Sequence, residues 1–335
     1  MFTCTFDKRM KLPTPKLKLP RPQLAKLKLP AAKLALPKPR LKLPKPELRP
    51  LRDKLLQQPD LNFLLTNRVP RILLTRLMGR LSRIRHPLVR RPSIAAMRLF
   101  ADLDLSDAKK SRFDSLHDCF VRELKPGART VHTDPQLLTS PCDAIVGQCG
   151  AVEGTRVFQA KGFPYRIEDL FADAAAAEPY RDGSYVTLRL TASMYHRFHA
   201  PHDGRAEHVT YISGDTWNVN PIALQRVQRL FCRNERAAIH YRLASGHPIA
   251  LVPVAAILVA SIRLHWLDVL LHLKYRGPNQ IPCDAGFAKG QEMGWFQHGS
   301  TIIVFAPRGF TLAEGIAPGA HIRMGQPLMR LPTAH

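Results

Sequence analysis

The alternation of hydrophobic and polar positions changes character twice along this chain of 335 residues. Over residues 1–50, leucines alternate with lysines and prolines, and variants of Lys-Leu-Lys-Leu-Pro recur at 16–20, 26–30 and 41–44. Ten prolines in that stretch interrupt helices and sheet ladders alike, so the pattern predicts a disordered, extended, PPII-like tail. Over 51–115 the period lengthens. Leu73, Leu77, Leu81 and Ile84 recur at helical spacing, with Arg76, Arg80 and Arg83 on a neighbouring face. This predicts a short basic amphipathic helix bracketed by Pro70 and Pro87, and a second helix over 88–100. From 116 to 335, short apolar runs at 185–190, 208–212, 237–241, 248–261 and 301–305 are separated by Gly, Pro, Asn and Asp turns. That segment reads as β-rich. The fold class is therefore α+β: a β-rich domain over 116–335, amphipathic helices over 51–115 and a basic Pro/Lys/Leu-rich tail over 1–50.

The most apolar stretch, 249–262, contains Pro253 and stops at Arg263. It falls short of the ~20 residues a membrane span needs, so it reads as buried strands and any membrane attachment as peripheral. Charge adds a partner to this picture. The chain carries a net charge of +24, and residues 1–50 hold half of it, fourteen Lys or Arg against Asp7 and Glu47. Such an excess speaks of nucleic acid, an anionic membrane surface or acidic substrates. No aromatic residue interleaves the basic ones between Phe6 and Phe63, which disfavours nucleic acid. A tether to anionic lipid fits better, each basic residue near an acidic leaflet being worth ~1 kcal/mol. For the amphipathic helices, lying on a membrane and packing on the domain demand the same periodicity.

The six cysteines form no C-x-x-C pair, and the nearest two, Cys142 and Cys149, are seven apart. They read as reduced, mostly buried thiols in a cytoplasmic compartment, not as zinc ligands or a redox motif. The N-terminus has no compact apolar core with a small-residue cleavage site, so no secretory signal is expected.

Candidate chemistry lies in separate segments. Gly294-Trp295-Phe296-Gln297-His298-Gly299-Ser300-Thr301 runs into the apolar stretch 302–305; alone, its Gly-Ser pair is a turn entering a buried strand. Ser140-Pro141-Cys142-Asp143 places a carboxylate before Ile145-Val146, where an Asp that completes a turn would also stand. In Tyr195-His196-Arg197-Phe198-His199, extended geometry puts 196 and 198 on one face and 195, 197 and 199 on the other. A role for both histidines therefore needs a bend, for which Pro201 and Gly204 are suited. No third ligand supports a metal at this pair. Residues 214–221 form a turn leading into an aromatic-polar edge with Trp217, Asn218 and Val219. An Asp, a His and a Ser are the ingredients of an activated nucleophile, yet there is no Gly-x-Ser-x-Gly elbow. On residues alone, a Ser-His-Asp hydrolase, a membrane-surface scaffold and a basic nucleic-acid binder all stay open.

Taken in order, these segments resemble the phosphatidylserine decarboxylase family. The resemblance is carried by Ser140-Pro141-Cys142-Asp143, Gln159-Ala160-Lys161-Gly162 with Tyr165, Tyr195-His196-Arg197-Phe198-His199, Gly214-Asp215 through Asn220, Asn234-Glu235-Arg236, Lys289-Gly290-Gln291-Glu292-Met293-Gly294 and Gly299-Ser300-Thr301. It covers about residues 60–330 and leaves 1–50 without a counterpart.

What the resemblance implies is a self-processing zymogen of phospholipid biosynthesis. Ser300 Oγ would attack the carbonyl of Gly299, with His199 as base oriented by Asp143. An N-to-O acyl shift, elimination and loss of ammonia would leave a pyruvoyl cofactor on a small chain, 300–335, associated with a large chain, 1–299. Its ketone would form a Schiff base with phosphatidylserine and draw electrons as CO2 leaves. His196 would then donate the proton that completes phosphatidylethanolamine, with Trp217, Asn218 and Val219 near the headgroup. The family also implies a dimer and a peripheral place on the cytoplasmic side of the cell membrane. A catalytically inactive scaffold of the same fold is the alternative. Two residues depart from the family pattern. Ala144 follows the Asp where Gly is usual, a strained choice if that backbone needs positive φ. His298 stands where Leu is common and adds an ionisable group beside the scissile bond.

Overall fold

A computed structural model describes residues 58–333, apart from 102, 259–260, 273–274, 278 and 297–299. The predicted tail over 1–50, Gly299 and His298 lie outside these residues. Prolines set the helix starts on the N-terminal side. Pro59 opens α1 (Pro59–Asn67), Pro70 precedes α2 (Arg71–Leu81) and Pro87 opens α3 (Pro87–Ala101), where a missing N–H costs nothing. Both predicted helices are present, although α2 ends at Leu81 and leaves Ile84 beyond it. A fourth helix, α4 (Leu116–Phe120), is capped by Ser115, whose hydroxyl accepts the Asp118 N–H.

α1 and α2 are inverted relative to an ordinary surface helix. Their buried residues are Asn62, Asn67 and Thr75, while Leu64, Leu65, Leu73, Leu77 and Leu81 are exposed. Among the described residues, the large hydrophobic side chains that stand exposed all fall between 64 and 88, up to 80% exposure at Leu88. None of the described helices is long and apolar enough to cross a membrane.

The β-rich part follows as β1 (Leu137–Thr139), β2 (Ala144–Ala151), β3 (Arg156–Ala160), β4 (Phe163–Arg166), β5 (Ser184–Arg189), β6 (Arg197–His199), β7 (Gly204–Ile212), β8 (Arg236–Leu243) and β9 (Pro248–Ala255). It continues with β10 (Ser261–Leu264), β11 (Leu270–His272), β12 (Gln280–Phe287), β13 (Glu292–Phe296), β14 (Ser300–Ala306), β15 (Thr311–Leu312), β16 (His321–Ile322) and β17 (Pro327–Arg330). Eight strands form one antiparallel sheet in the order β12-β7-β8-β9-β14-β5-β2-β16, and β11-β10-β13-β6 form a second of four. The alternating pattern of β12 suits an edge strand, whereas 301–306 of β14 are buried throughout, as a central strand covered on both faces requires. Phe305 of β14 meets Phe171 and Tyr180 in the core. The apolar stretch 249–262 is two buried strands, β9 and β10, separated by a turn at Leu258.

Candidate active site

Strand register gathers the chemistry at one end of the large sheet. Ile145 pairs with Arg189, Arg189 with Thr301, Thr301 with Val254, and Val254 with Arg236. The starts of β2, β14 and β8 therefore lie level with the ends of β5 and β9. Asp143 immediately precedes β2, and Glu235 immediately precedes β8. Ser300 opens β14 opposite Ala255, whose N–H donates to the Glu235 carbonyl at 2.8 Å. With strands about 4.8 Å apart, the Ser300 backbone stands two strand spacings, on the order of 10 Å, from β2 and from β8.

His199 is held at both ring nitrogens. Nδ1 lies 2.8 Å from the Gly290 carbonyl and Nε2 lies 3.0 Å from the Tyr195 hydroxyl. A carbonyl only accepts, so Nδ1 carries the proton and Nε2 takes the hydroxyl hydrogen of Tyr195. Burial pushes the His199 pKa below its ordinary value, which keeps the ring neutral. The Gly290 carbonyl is presented from a left-handed turn (φ +80), where a side chain would also strike Val131.

Asp143 is engaged elsewhere. Its carboxylate accepts from Arg129 Nε at 2.9 Å and Nη2 at 2.5 Å, and from the Met324 N–H at 2.9 Å. Arg129 also reaches Asp107 at 2.9 Å. The Asp143–His199 hydrogen bond expected from the sequence is not made here. The two segments meet through backbone, the His199 N–H donating to the Pro141 carbonyl at 2.8 Å. A guanidinium fork matches a carboxylate better than one imidazole N–H does, and Gly290 already takes that N–H. Arg129, Tyr195, Arg197, His199, Glu292 and Met324 line a cavity of about 300 Å³. Ala144 begins β2 without positive φ, so the substitution for glycine brings no backbone strain.

His196 stays apart from His199, as strand parity requires. The chain bends after β6, too late to bring the two rings together. His196 is fully buried against Phe120, with ring centroids 3.9 Å apart, and its Nδ1 lies 2.8 Å from the Met194 carbonyl. Its own carbonyl accepts the Phe296 N–H at 3.0 Å, which ties it to the strand leading toward Ser300.

The segment with Trp217, Asn218 and Val219 flanks the other side of β14. Gly214 lets it approach β8, since a Cβ there would lie 2.5 Å from the Arg233 carbonyl. Asn234 then holds Trp217: Oδ1 accepts its N–H at 2.8 Å, and Nδ2 donates to its carbonyl at 2.9 Å and to that of Ala255 at 2.8 Å. Asp215 sits in the same segment. Burial works to raise its carboxyl, but hydrogen bonds from Arg71 and the Thr216 N–H outweigh that and hold it below the ordinary range.

Three residues of the site were not singled out from the sequence. Tyr195 shares the parity of His199, which is the signal that could have found it. Glu235 stands in the Asn234-Glu235-Arg236 motif but was given no role there, and Arg129 left no signal. Glu235 is fully buried, accepts from the Tyr211 hydroxyl at 2.9 Å through Oε1, and has no partner at Oε2 among the described residues. Burial pushes its carboxyl up to about 7 against the opposing pull of the Tyr211 bond.

Comparison with known proteins adds the family context. A family model described as phosphatidylserine decarboxylase matches residues 116–330. A phosphatidylserine decarboxylase proenzyme of Vibrio cholerae is 37% identical over 275 residues, covering 77% of this chain and 94% of its own length. Proenzymes of the same description from Photobacterium profundum and Xanthomonas axonopodis pv. citri are 36% and 37% identical, covering 79% and 68% of this chain and 94% and 84% of their own lengths.

Proposed function

The chain belongs to the phosphatidylserine decarboxylase family, and on that premise we propose that it processes itself at Gly299-Ser300 and then converts phosphatidylserine to phosphatidylethanolamine and CO2. The observation that carries the reading is the place of Ser300. It opens a central strand at the sheet end that also holds Asp143 and the Trp217 segment.

In the processing step, Ser300 Oγ attacks the Gly299 carbonyl, and the acyl group moves from nitrogen to oxygen. His199 takes the hydroxyl proton on Nε2, the nitrogen that its Gly290 bond leaves basic, once the Tyr195 hydroxyl turns away from it. Asp143 supports the base at a distance, by neutralising the Arg129 cation that lines the same cavity. Elimination from Ser300 releases Gly299 as a carboxylate and leaves dehydroalanine, whose hydrolysis yields ammonia and a pyruvoyl end. That group supplies an electron-withdrawing carbonyl for decarboxylation. The β8 side of that sheet end suits a small polar group: Glu235 Oε2 and Thr216 Oγ1 are buried with no hydrogen-bond partner among the described residues. His196 is assigned the proton donated to the product, and Trp217, Asn218 and Val219 the headgroup end of the lipid.

The substrate's bilayer accounts for the inverted helices. Leu64, Leu65, Leu73, Leu77, Leu81 and Leu88 face outward, with Arg68, Arg76, Arg80 and Arg83 among them, which suits an anionic leaflet. The hydrolase alternative needs a carboxylate on His199 Nδ1, and the Gly290 carbonyl takes that nitrogen.

Denaturing mass spectrometry tests the reading. The expected result is two chains, 1–299 and 300–335, the smaller blocked at its N-terminus, while Ser300→Ala stays intact at 37.7 kDa and releases no CO2. An intact, inactive wild-type chain would sink it.

A further inference from the structure

The polar residues that α1 and α2 turn inward form a single stripe, and each holds a loop beside Ser300. Arg71 grips Asp215 with Nε to Oδ1 at 3.1 Å and Nη2 to Oδ2 at 2.5 Å. Its guanidinium carbon also lies 3.7 Å from the centre of the Trp217 ring. Asn67, fully buried, accepts the Asn218 N–H on Oδ1 at 3.0 Å, and its carbonyl accepts from Arg71 Nη1. Asn62 Oδ1 accepts from Asn220 Nδ2 at 2.9 Å, while Asn220 Oδ1 takes the Ala223 N–H at 2.8 Å. One turn beyond Arg71, Thr75 Oγ1 accepts the Leu258 N–H at 2.9 Å, at a residue held in the left-handed region (φ 69).

These contacts reach two segments on the β9 side of the start of β14. The segment 215–220 is tied by Asn234 to Ala255, the backbone partner of Ser300. Leu258 lies three residues past Ala255 on the same chain. The opposite face of the same two helices carries the exposed leucines. A buried or half-buried stripe of Asn, Arg and Thr is an expensive way to dock a helix, because each polar group must find its own partner and leucine would pack without that demand. The stripe is therefore better explained by what it holds than by adhesion alone.

We propose that α1 and α2 are a positioning element of the lipid site. Asn62, Asn67, Arg71 and Thr75 set the headgroup-side segment 215–220 and the Leu258 turn, so the surface that meets the bilayer and the loops that frame Ser300 move as one piece. The inference rests on the decarboxylase reading and adds that these helices do more than dock. Arg71 is a positioning residue: it acts through Asp215 and Trp217.

The test separates docking from positioning by using two substrates, phosphatidylserine in anionic vesicles and a short-chain phosphatidylserine kept soluble below its micelle concentration. Arg71→Met keeps the aliphatic stem and removes the fork. The expected result is normal processing into two chains, unchanged flotation with vesicles, and a KM raised about tenfold on both substrates with kcat changed far less, the signature of lost uniform binding. Thr75→Val, close in shape, should raise KM severalfold in the same way, and it carries the test should Arg71→Met fail to process. A defect confined to vesicles, or wild-type KM on the soluble lipid, would overturn the proposal while leaving the decarboxylase reading intact. A wild-type protein that released no CO2 from either substrate would overturn both.

Discussion

Burial decides the ionisation of the two residues on either side of β14. His199 titrates below its ordinary 6.5 because desolvation disfavours the imidazolium. The base form proposed to take the Ser300 proton therefore persists below pH 6.5, and the acid limb of self-cleavage should fall under that value. A proenzyme made by cell-free translation and followed by gel between about pH 5 and 8 would read this, with His199→Ala slowing cleavage by ~100-fold or more. A limb at or above 6.5 would contradict the assignment. Glu235 has the opposite sign. Its carboxyl is raised from 4.5 to about 7, so the unfolded chain loses its proton first. Stability is then fully present below pH 4.5 and declines as pH rises through 7, by on the order of 3 kcal/mol. Glu235→Gln keeps a neutral side chain and should raise Tm above pH 7 while leaving it little changed near 4.5. His298 is a question that only its neighbours in sequence pose: His298→Leu should shift the pH profile of cleavage, and an unchanged profile would show that the extra imidazole is inert.

For elements, periodicity and orientation are separate facts. The spacing of Leu73, Leu77 and Leu81 was enough to place α2, because a stripe with the helical period buries well only as a helix. It could not say which way the stripe faces, since a bilayer and a protein core reward the same pattern. The polar partners decide it: Asn67, Arg71 and Thr75 find acceptors and donors on the domain, which leaves the leucines outside. Leu73 and Leu77 are 55% and 49% exposed, so replacing both with Gln should change folding stability by no more than about 0.5 kcal/mol. The same pair should weaken flotation with anionic vesicles by at least about tenfold. Unaltered flotation would remove the bilayer from the account. α1 was missed for a related reason. Its buried positions are asparagines and its exposed ones leucines, so its pattern has no ordinary amphipathic reading.

For the whole molecule, the proposed small chain, 300–335, is woven into sheets made mostly of residues that precede it. β14 pairs with β9 over 300–305 and with β5 over 301–306, β16 pairs with β2, and β17 with β1. Cutting before Ser300 removes one peptide bond and leaves these ladders in place. The processed chains should co-elute on size exclusion and separate only in denaturant; separation under native conditions would mean that the strand order is wrong.

What the sequence determined by itself is local. Runs such as 301–305 could only be buried strands, proline positions set the helix starts, and the order of short motifs carried the family. Tertiary structure alone decided who meets whom. Asp143 turned to Arg129, His199 to Tyr195 and Gly290, and the helices turned their leucines outward. The reason is physical. Periodicity is a property of neighbours along the chain, whereas a hydrogen bond goes to whichever partner across the fold has the better geometry.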